Sequence, residues 1–139
     1  NDPDSWYTPA KSAEIDDLIK KNDTLFKDSL DRYKYSNRYP ENSMEYYRSQ
    51  AEIYLISLEK KLIASNYLLG DSISLADVAI FPFIRQFSLV DKVWFEASPY
   101  LNLRRWLNNF LDSKNFFAVM KKEDVWKQEN NKSASMIKI

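Results

Sequence analysis

From residue 11 to residue 35 the apolar side chains Ile15, Leu18, Ile19, Leu25, Phe26, Leu30 and Tyr33 recur at three- and four-residue steps. That is the period of a helix with one apolar stripe. Asn22 falls on the same stripe. Buried, it would need partners and would serve as a register or interface residue; the usual exposure of asparagine favours a partly wet face instead. Asn37, Pro40 and Asn42 break the pattern over 36–42. Ser43 is then placed to cap a second helix, whose stripe is Met44, Tyr47, Ala51, Tyr54, Leu55, Leu58 and Leu62. It ends before Gly70, the residue that can take positive φ without cost. Two helices of roughly 20–25 residues, or about 30–37 Å each, joined by a short break, are expected to lie antiparallel.

The third helix has the clearest start signal. Ser74-Leu75-Ala76-Asp77 sets a hydroxyl at the cap and a carboxylate three residues later, so each side chain can serve the other's backbone N–H. Ile73 and Val78 occupy the two positions of a hydrophobic staple. Val78 to Ile84 follows, apolar on every side, which is the signature of a helix in the middle of a bundle. Pro82 within it removes one backbone bond and predicts a kink. A fourth helix is expected from Pro99, with Ser98 as its cap and Leu103, Trp106, Leu107, Phe110 and Leu111 on its buried face. A short fifth helix after Ser113 would carry Phe116, Phe117 and Met120. Val125 and Trp126 are the anchors of the tail. The pattern therefore predicts an all-α bundle of about five helices. Residues 1–10 read as a linker, 11–128 as the helical domain and 129–139 as a mobile tail.

Composition narrows the chemistry. The 139 residues include one glycine, no cysteine and no histidine. One glycine excludes a Gly-rich phosphate loop and leaves a sheet fold without its turn residues. Without Cys or His there is no disulfide, zinc finger, thiol nucleophile or Ser-His-Asp triad in this chain, and no metal site of imidazole ligands. Twenty basic and twenty acidic residues cancel, so no net field favours nucleic acid or an anionic membrane. No apolar run approaches the ~20 residues of a membrane span. The start at Asn1 reads as a piece of a longer product.

Three features could carry function. The first helix alternates Asp16, Asp17, Asp23, Asp28 and Asp31 with Lys20, Lys21, Lys27 and Arg32, which reads as a solvated face laced by i,i+4 pairs or as a carboxylate offered to another subunit. Arg32, Tyr35 and Arg38 lie in a basic-aromatic cluster with Tyr33, Lys34 and Tyr39. Such a cluster can grip an anion or stack on a ring, or can simply suit the helix end. Arg85 sits in the apolar central helix, where a guanidinium must be paired or reach the surface.

The segment Tyr67-Leu68-Leu69-Gly70-Asp71-Ser72-Ile73-Ser74-Leu75-Ala76-Asp77-Val78-Ala79 resembles the hallmark of the C-terminal domain of glutathione transferases. The helix order also resembles that domain, and Leu103-Arg104-Arg105-Trp106-Leu107 with Phe116 to Lys121 resembles its last two helices, while Leu30 to Tyr35 and Ile80 to Phe87 resemble a bacterial branch of the family. The resemblance covers roughly residues 5–125. It implies that the Ser74–Asp77 box is structural. It implies a thioredoxin-like N-terminal domain as partner, carrying the catalytic residue and binding glutathione as co-substrate, so that this chain holds no catalytic residue and no cofactor. It further implies a cytoplasmic homodimer with a pocket for a hydrophobic small molecule, and no nucleic-acid or membrane partner. On this chain the pocket would be lined by Phe26, Leu30 and Tyr33 and closed by Trp126; the plain alternative is that all four are core. The rival function is a non-catalytic protein–protein scaffold with the same fold. An unrelated five-helix adaptor is the remaining reading.

Overall fold

The structure, a computed structural model, describes residues 7–112. Helix α1 (Ser12–Lys21) passes through one π turn (Asn22–Phe26) into α2 (Lys27–Lys34), and a 3-10 turn (Ser36–Arg38) follows. Helix α3 (Met44–Ala64) runs back along α2, α4 (Leu75–Val90) packs on α1 and α2, and α5 (Lys92–Glu96) and α6 (Leu101–Asp112) complete the bundle. Among the described residues the only β-type pairing is the isolated bridge between Tyr67 and Gly70, and Gly70 takes the positive φ of 142°. The fold is all-α, as the pattern predicts. The proposed fifth helix after Ser113 and the anchor Trp126 lie outside the described residues.

The first helix departs from its predicted form at Asn22. Lys27 donates its backbone N–H five residues back, to the Asn22 carbonyl, rather than four. The extra residue advances the helical phase. Leu25, expected inside, is 66% exposed, and Asn22, expected on a wet face, is only 1% exposed. The displaced backbone is served from two sides. Tyr54 Oη of α3 donates to the Leu18 carbonyl at 3.1 Å, and Thr24 Oγ1 donates to the Lys20 carbonyl at 2.8 Å. Beyond the turn, Phe26, Leu30 and Tyr33 return to the core.

Helix α4 is the axis of the bundle. Ile80, Phe81 and Ile84 are fully buried, and the helix continues through Pro82 to Val90. Two aromatic groups close around it. Phe81, Trp106 and Phe110 pack mutually with centroids 4.9–6.2 Å apart. Phe87 touches Phe26, Tyr33, Trp94 and Phe95. Arg85 of α4 is exposed at the bundle surface.

The start of α6 differs from expectation. Ser98 does not cap it; its hydroxyl donates back to the Phe95 carbonyl at 2.6 Å, closing α5. The cap comes from α3 instead. Glu59 accepts from the backbone N–H groups of Asn102 and Leu103 at 3.2 and 2.8 Å, and from Asn102 Nδ2 at 2.8 Å. Tyr100 donates its hydroxyl to Glu52, two helical turns before Glu59 on α3. At the C-terminal end of α3, Arg105 of α6 donates to the carbonyls of Leu62 and Ser65. A carboxylate at the start of α6 and a guanidinium at the end of α3 each oppose the local dipole.

Two outcomes test this packing. Glu59→Ala leaves two first-turn N–H groups of α6 without their acceptor and is expected to cost about 1–2 kcal/mol, read by urea denaturation. Burial, with Asp23 and Asp17 nearby, holds the Tyr54 phenol above its ordinary value. The folded state therefore retains a proton that the unfolded chain sheds near pH ~10. Stability through Tyr54 is complete below that pH and falls by up to about 1.4 kcal/mol per pH unit above it, until the folded-state pKa is reached. Tyr54→Phe is expected to flatten that part of the alkaline stability curve while losing the bond to Leu18.

Candidate functional site

The best-defined polar centre is the carboxylate of Asp77, which is fully buried at the first turn of α4. Its Oδ1 accepts from the Leu68 backbone N–H and from Trp106 Nε1, both at 2.9 Å. Its Oδ2 accepts from the Ser74 backbone N–H at 2.9 Å and from the Ser74 hydroxyl at 3.2 Å. Four donors thus converge on two oxygens, drawn from the loop after α3, the cap of α4 and the middle of α6. Burial is the strongest influence on this carboxyl and pushes its pKa up, against the opposing pull of the same four donors. The predicted capping box is present at Ser74 and Asp77, with the Asp77 arm tight. The Ser74 arm is loose, because its hydroxyl turns toward the carboxylate and makes no close bond to the first-turn backbone.

The proposed pocket residues lie together but are not open. Phe26, Leu30 and Tyr33 are each 1% exposed and belong to the core. Phe26 rests on Tyr54 and Phe87 at 5.0 and 5.9 Å, and Tyr33 rests on Phe87 at 5.1 Å. The Tyr33 hydroxyl has no hydrogen-bond partner among the described residues. Its pKa is raised by burial, while the Arg48 guanidinium nearby draws it the other way. Arg48 itself covers Trp94, 4.3 Å from the ring centroid. Neither Arg48 nor Trp94 stands out in the sequence, since their meeting depends on how α3 and α5 cross.

The basic-aromatic cluster satisfies itself. Arg32 pairs with Asp28 at 3.2 Å and lies 4.7 Å from the Tyr39 ring centroid. Arg38 and Lys34 both lie over Tyr35, at 4.6 and 5.3 Å. In these contacts the cations lie over their own aromatic neighbours, while Tyr35 itself is exposed and does not cover the core. The acidic residues of α1 behave as a solvated face, with Lys21 and Asp17 paired at 3.1 Å. Among the described residues no group of three acidic side chains could hold a metal ion, and no helix is long and apolar enough to cross a membrane.

Residues 47–109 match the model of the glutathione S-transferase C-terminal domain. The match spans most of α3, all of α4 and α5 and most of α6, and so includes Ser74, Asp77 and Trp106. Over that stretch the chain is similar to this family's domain. No curated protein and no solved structure matches it.

The Asp77 centre is open to a sharp test. An amide at this position turns an NH2 group toward two of the four donors whichever way it is oriented. Asp77→Asn is therefore expected to cost about 3 kcal/mol or more, despite its near-identical shape. Urea denaturation measures it, and a variant as stable as the parent would sink the assignment of Asp77 as the bundle's polar anchor.

Proposed function

We propose that this chain is the helical, co-substrate-pocket half of a glutathione S-transferase-like protein. The full-length form would transfer or use glutathione on hydrophobic electrophiles. The observation that carries this reading is the match of residues 47–109 to the C-terminal domain of that family. In the proposed arrangement glutathione and the residue that activates its thiol belong to a thioredoxin-like domain of the same polypeptide. The helical half supplies apolar walls, with Phe26, Leu30 and Tyr33 as the first-helix candidates and Trp126 as the closing group. In this chain the first three fill the core, so contact with a co-substrate requires the face of α1 and α2 to open against the second domain. The protein so assembled would be a cytoplasmic homodimer of bacterial type.

A scaffold without catalysis is the second reading. The self-satisfied basic cluster and the exposed apolar positions of α3 favour it.

The two readings separate by experiment. The 139-residue chain alone is expected to show no saturable heat with millimolar glutathione and no conjugation of a chlorinated aromatic above buffer, because the reacting partners are not held together. Joined to its thioredoxin-like domain, the protein is expected to do both. Turnover by the helical chain alone would contradict the division of labour. Inactivity of the joined protein, with retained capture of a protein partner, would favour the scaffold.

A further inference from the structure

Two hydrogen-bond donors converge at one end of the bundle with nothing to receive them. The first is the Tyr33 hydroxyl near the end of α2, buried and without a partner among the described residues. The second is the Arg48 guanidinium in the first turns of α3, which lies over the Trp94 ring of α5, 4.3 Å from its centroid. Among the described residues no carboxylate is within ion-pair distance of it. A guanidinium over a ring engages through its face and keeps its N–H groups, which lie in its own plane, for acceptors. Tyr33 and Trp94 are linked through Phe87, whose ring centroid lies 5.1 Å from the first and 6.1 Å from the second. Burial raises the Tyr33 pKa and the nearby guanidinium draws it down, yet no hydrogen bond joins the two groups.

The acceptors in the neighbourhood are engaged elsewhere. Asp91 Oδ1 receives the Trp94 backbone N–H at 3.0 Å. Glu52, one helical turn beyond Arg48, receives the Tyr100 hydroxyl. Each of these carboxylates opposes ionisation of Tyr33, and each does so more weakly than Arg48 favours it. The spot that the phenol and the guanidinium share therefore suits a negative or electron-rich atom, and a buried donor left unpaired costs about 1–3 kcal/mol. Arg48 and Trp94 are half-buried while Tyr33 is closed to solvent, so the way in from the surface runs past the guanidinium. Roughly 24 Å of α3, at 1.5 Å per residue from Arg48 to Ala64, separate this place from the loop that reaches Asp77.

We propose that Tyr33 and Arg48 form a binding site for the carboxylate of a small organic acid, whose oxygens accept from the phenol O–H and from the edge of the guanidinium. The fork of a guanidinium matches the two oxygens of a carboxylate, and the phenol supplies a further donor. The rings of Phe87 and Trp94 beside the donors favour an aromatic or aliphatic body over a polar one. Asp91 and Glu52 limit the charge. One guanidinium matches a single carboxylate, whereas a more highly charged anion such as phosphate is opposed by both acidic side chains. In this role Tyr33 holds a ligand by its hydroxyl instead of walling an apolar pocket. The site needs neither a second domain nor a thiol, so it stands or falls independently of the glutathione chemistry proposed above.

Benzoate titrated into the 139-residue chain tests the site, followed by calorimetry and by the side-chain N–H resonances of Arg48 and Trp94. Saturable binding at millimolar concentration is expected, with shifts at both resonances. Inorganic phosphate and the neutral isostere benzamide are expected to bind about tenfold more weakly or less. Tyr33→Phe keeps the ring and removes the donor. It is expected to weaken benzoate roughly fivefold while unfolding in urea no earlier than the parent, because the lost hydroxyl had no partner. Arg48→Lys keeps the charge and loses the fork, and is expected to weaken benzoate about tenfold. Lys60→Gln, elsewhere on α3, is expected to leave binding unchanged. No saturation at tens of millimolar benzoate overturns the site. Equal binding of benzamide or phosphate overturns its preference for a single carboxylate. Binding that survives Tyr33→Phe and Arg48→Lys, with helical circular dichroism retained, overturns its placement at these two residues.

Discussion

A single buried carboxylate holds together three parts of the chain that are distant in sequence. Asp77 receives Leu68 from the loop after α3, Ser74 from its own helix cap and Trp106 from α6. An isolated charge in such a place would be very costly, and the four donors offset that cost only when all are in position. The consequence is cooperativity. The loop 65–74, the start of α4 and the Trp106 indole of α6 are thereby tied to one another through the same two oxygens. The aromatic packing of Phe81, Trp106 and Phe110 surrounds a ring whose orientation the indole N–H bond to Asp77 fixes.

The first helix solves a different problem. Its amino-terminal half packs on α4, and its carboxy-terminal half packs on both α3 and α4. A regular helix of that length keeps one phase and would present one continuous stripe. The π turn at Asn22–Phe26 inserts a step between the halves, and the Tyr54 hydroxyl takes up the Leu18 carbonyl beside it. Such turns are uncommon inside helices. Here it leaves a visible cost, the buried Asn22 Oδ1 with no partner among the described residues.

What the sequence discloses and what it conceals divide along the range of the interactions. Local signals read well. The Ser74–Asp77 box, the burial of Ile80, Phe81 and Ile84 and the positive φ at Gly70 follow from residues within a few positions of one another. Interactions between remote residues were illegible. Glu59 caps a helix 43 residues onward, where local pattern points only to Ser98, and the indole partner of Asp77 lies 29 residues away. The phase of Leu25 and Asn22 depends on a turn that no local residue announces. Helix α5 is too short for periodicity to reveal, although Asp91, whose carboxylate accepts from the Trp94 backbone N–H at 3.0 Å, is an ordinary cap. Periodicity also cannot separate a pocket wall from a core: Phe26, Leu30 and Tyr33 carry the same spacing in either role.

The two-faced character of α3 has a consequence for folding specificity. Burial of apolar surface normally decides which side of a helix turns inward, and α3 offers isoleucines on one side against leucines and tyrosines on the other. The hydrophobic effect, being non-directional, gives this helix only a weak instruction about its own rotation. The polar contacts supply the rest. Glu52 and Glu59 lie along one edge of α3 and can reach Tyr100 and the first turn of α6 only when the helix is rolled one way, and the Arg105 guanidinium fastens its far end. These groups act as keyways on a shaft: they add modest energy, but they make the inverted seating of the helix incompatible with the rest of the bundle.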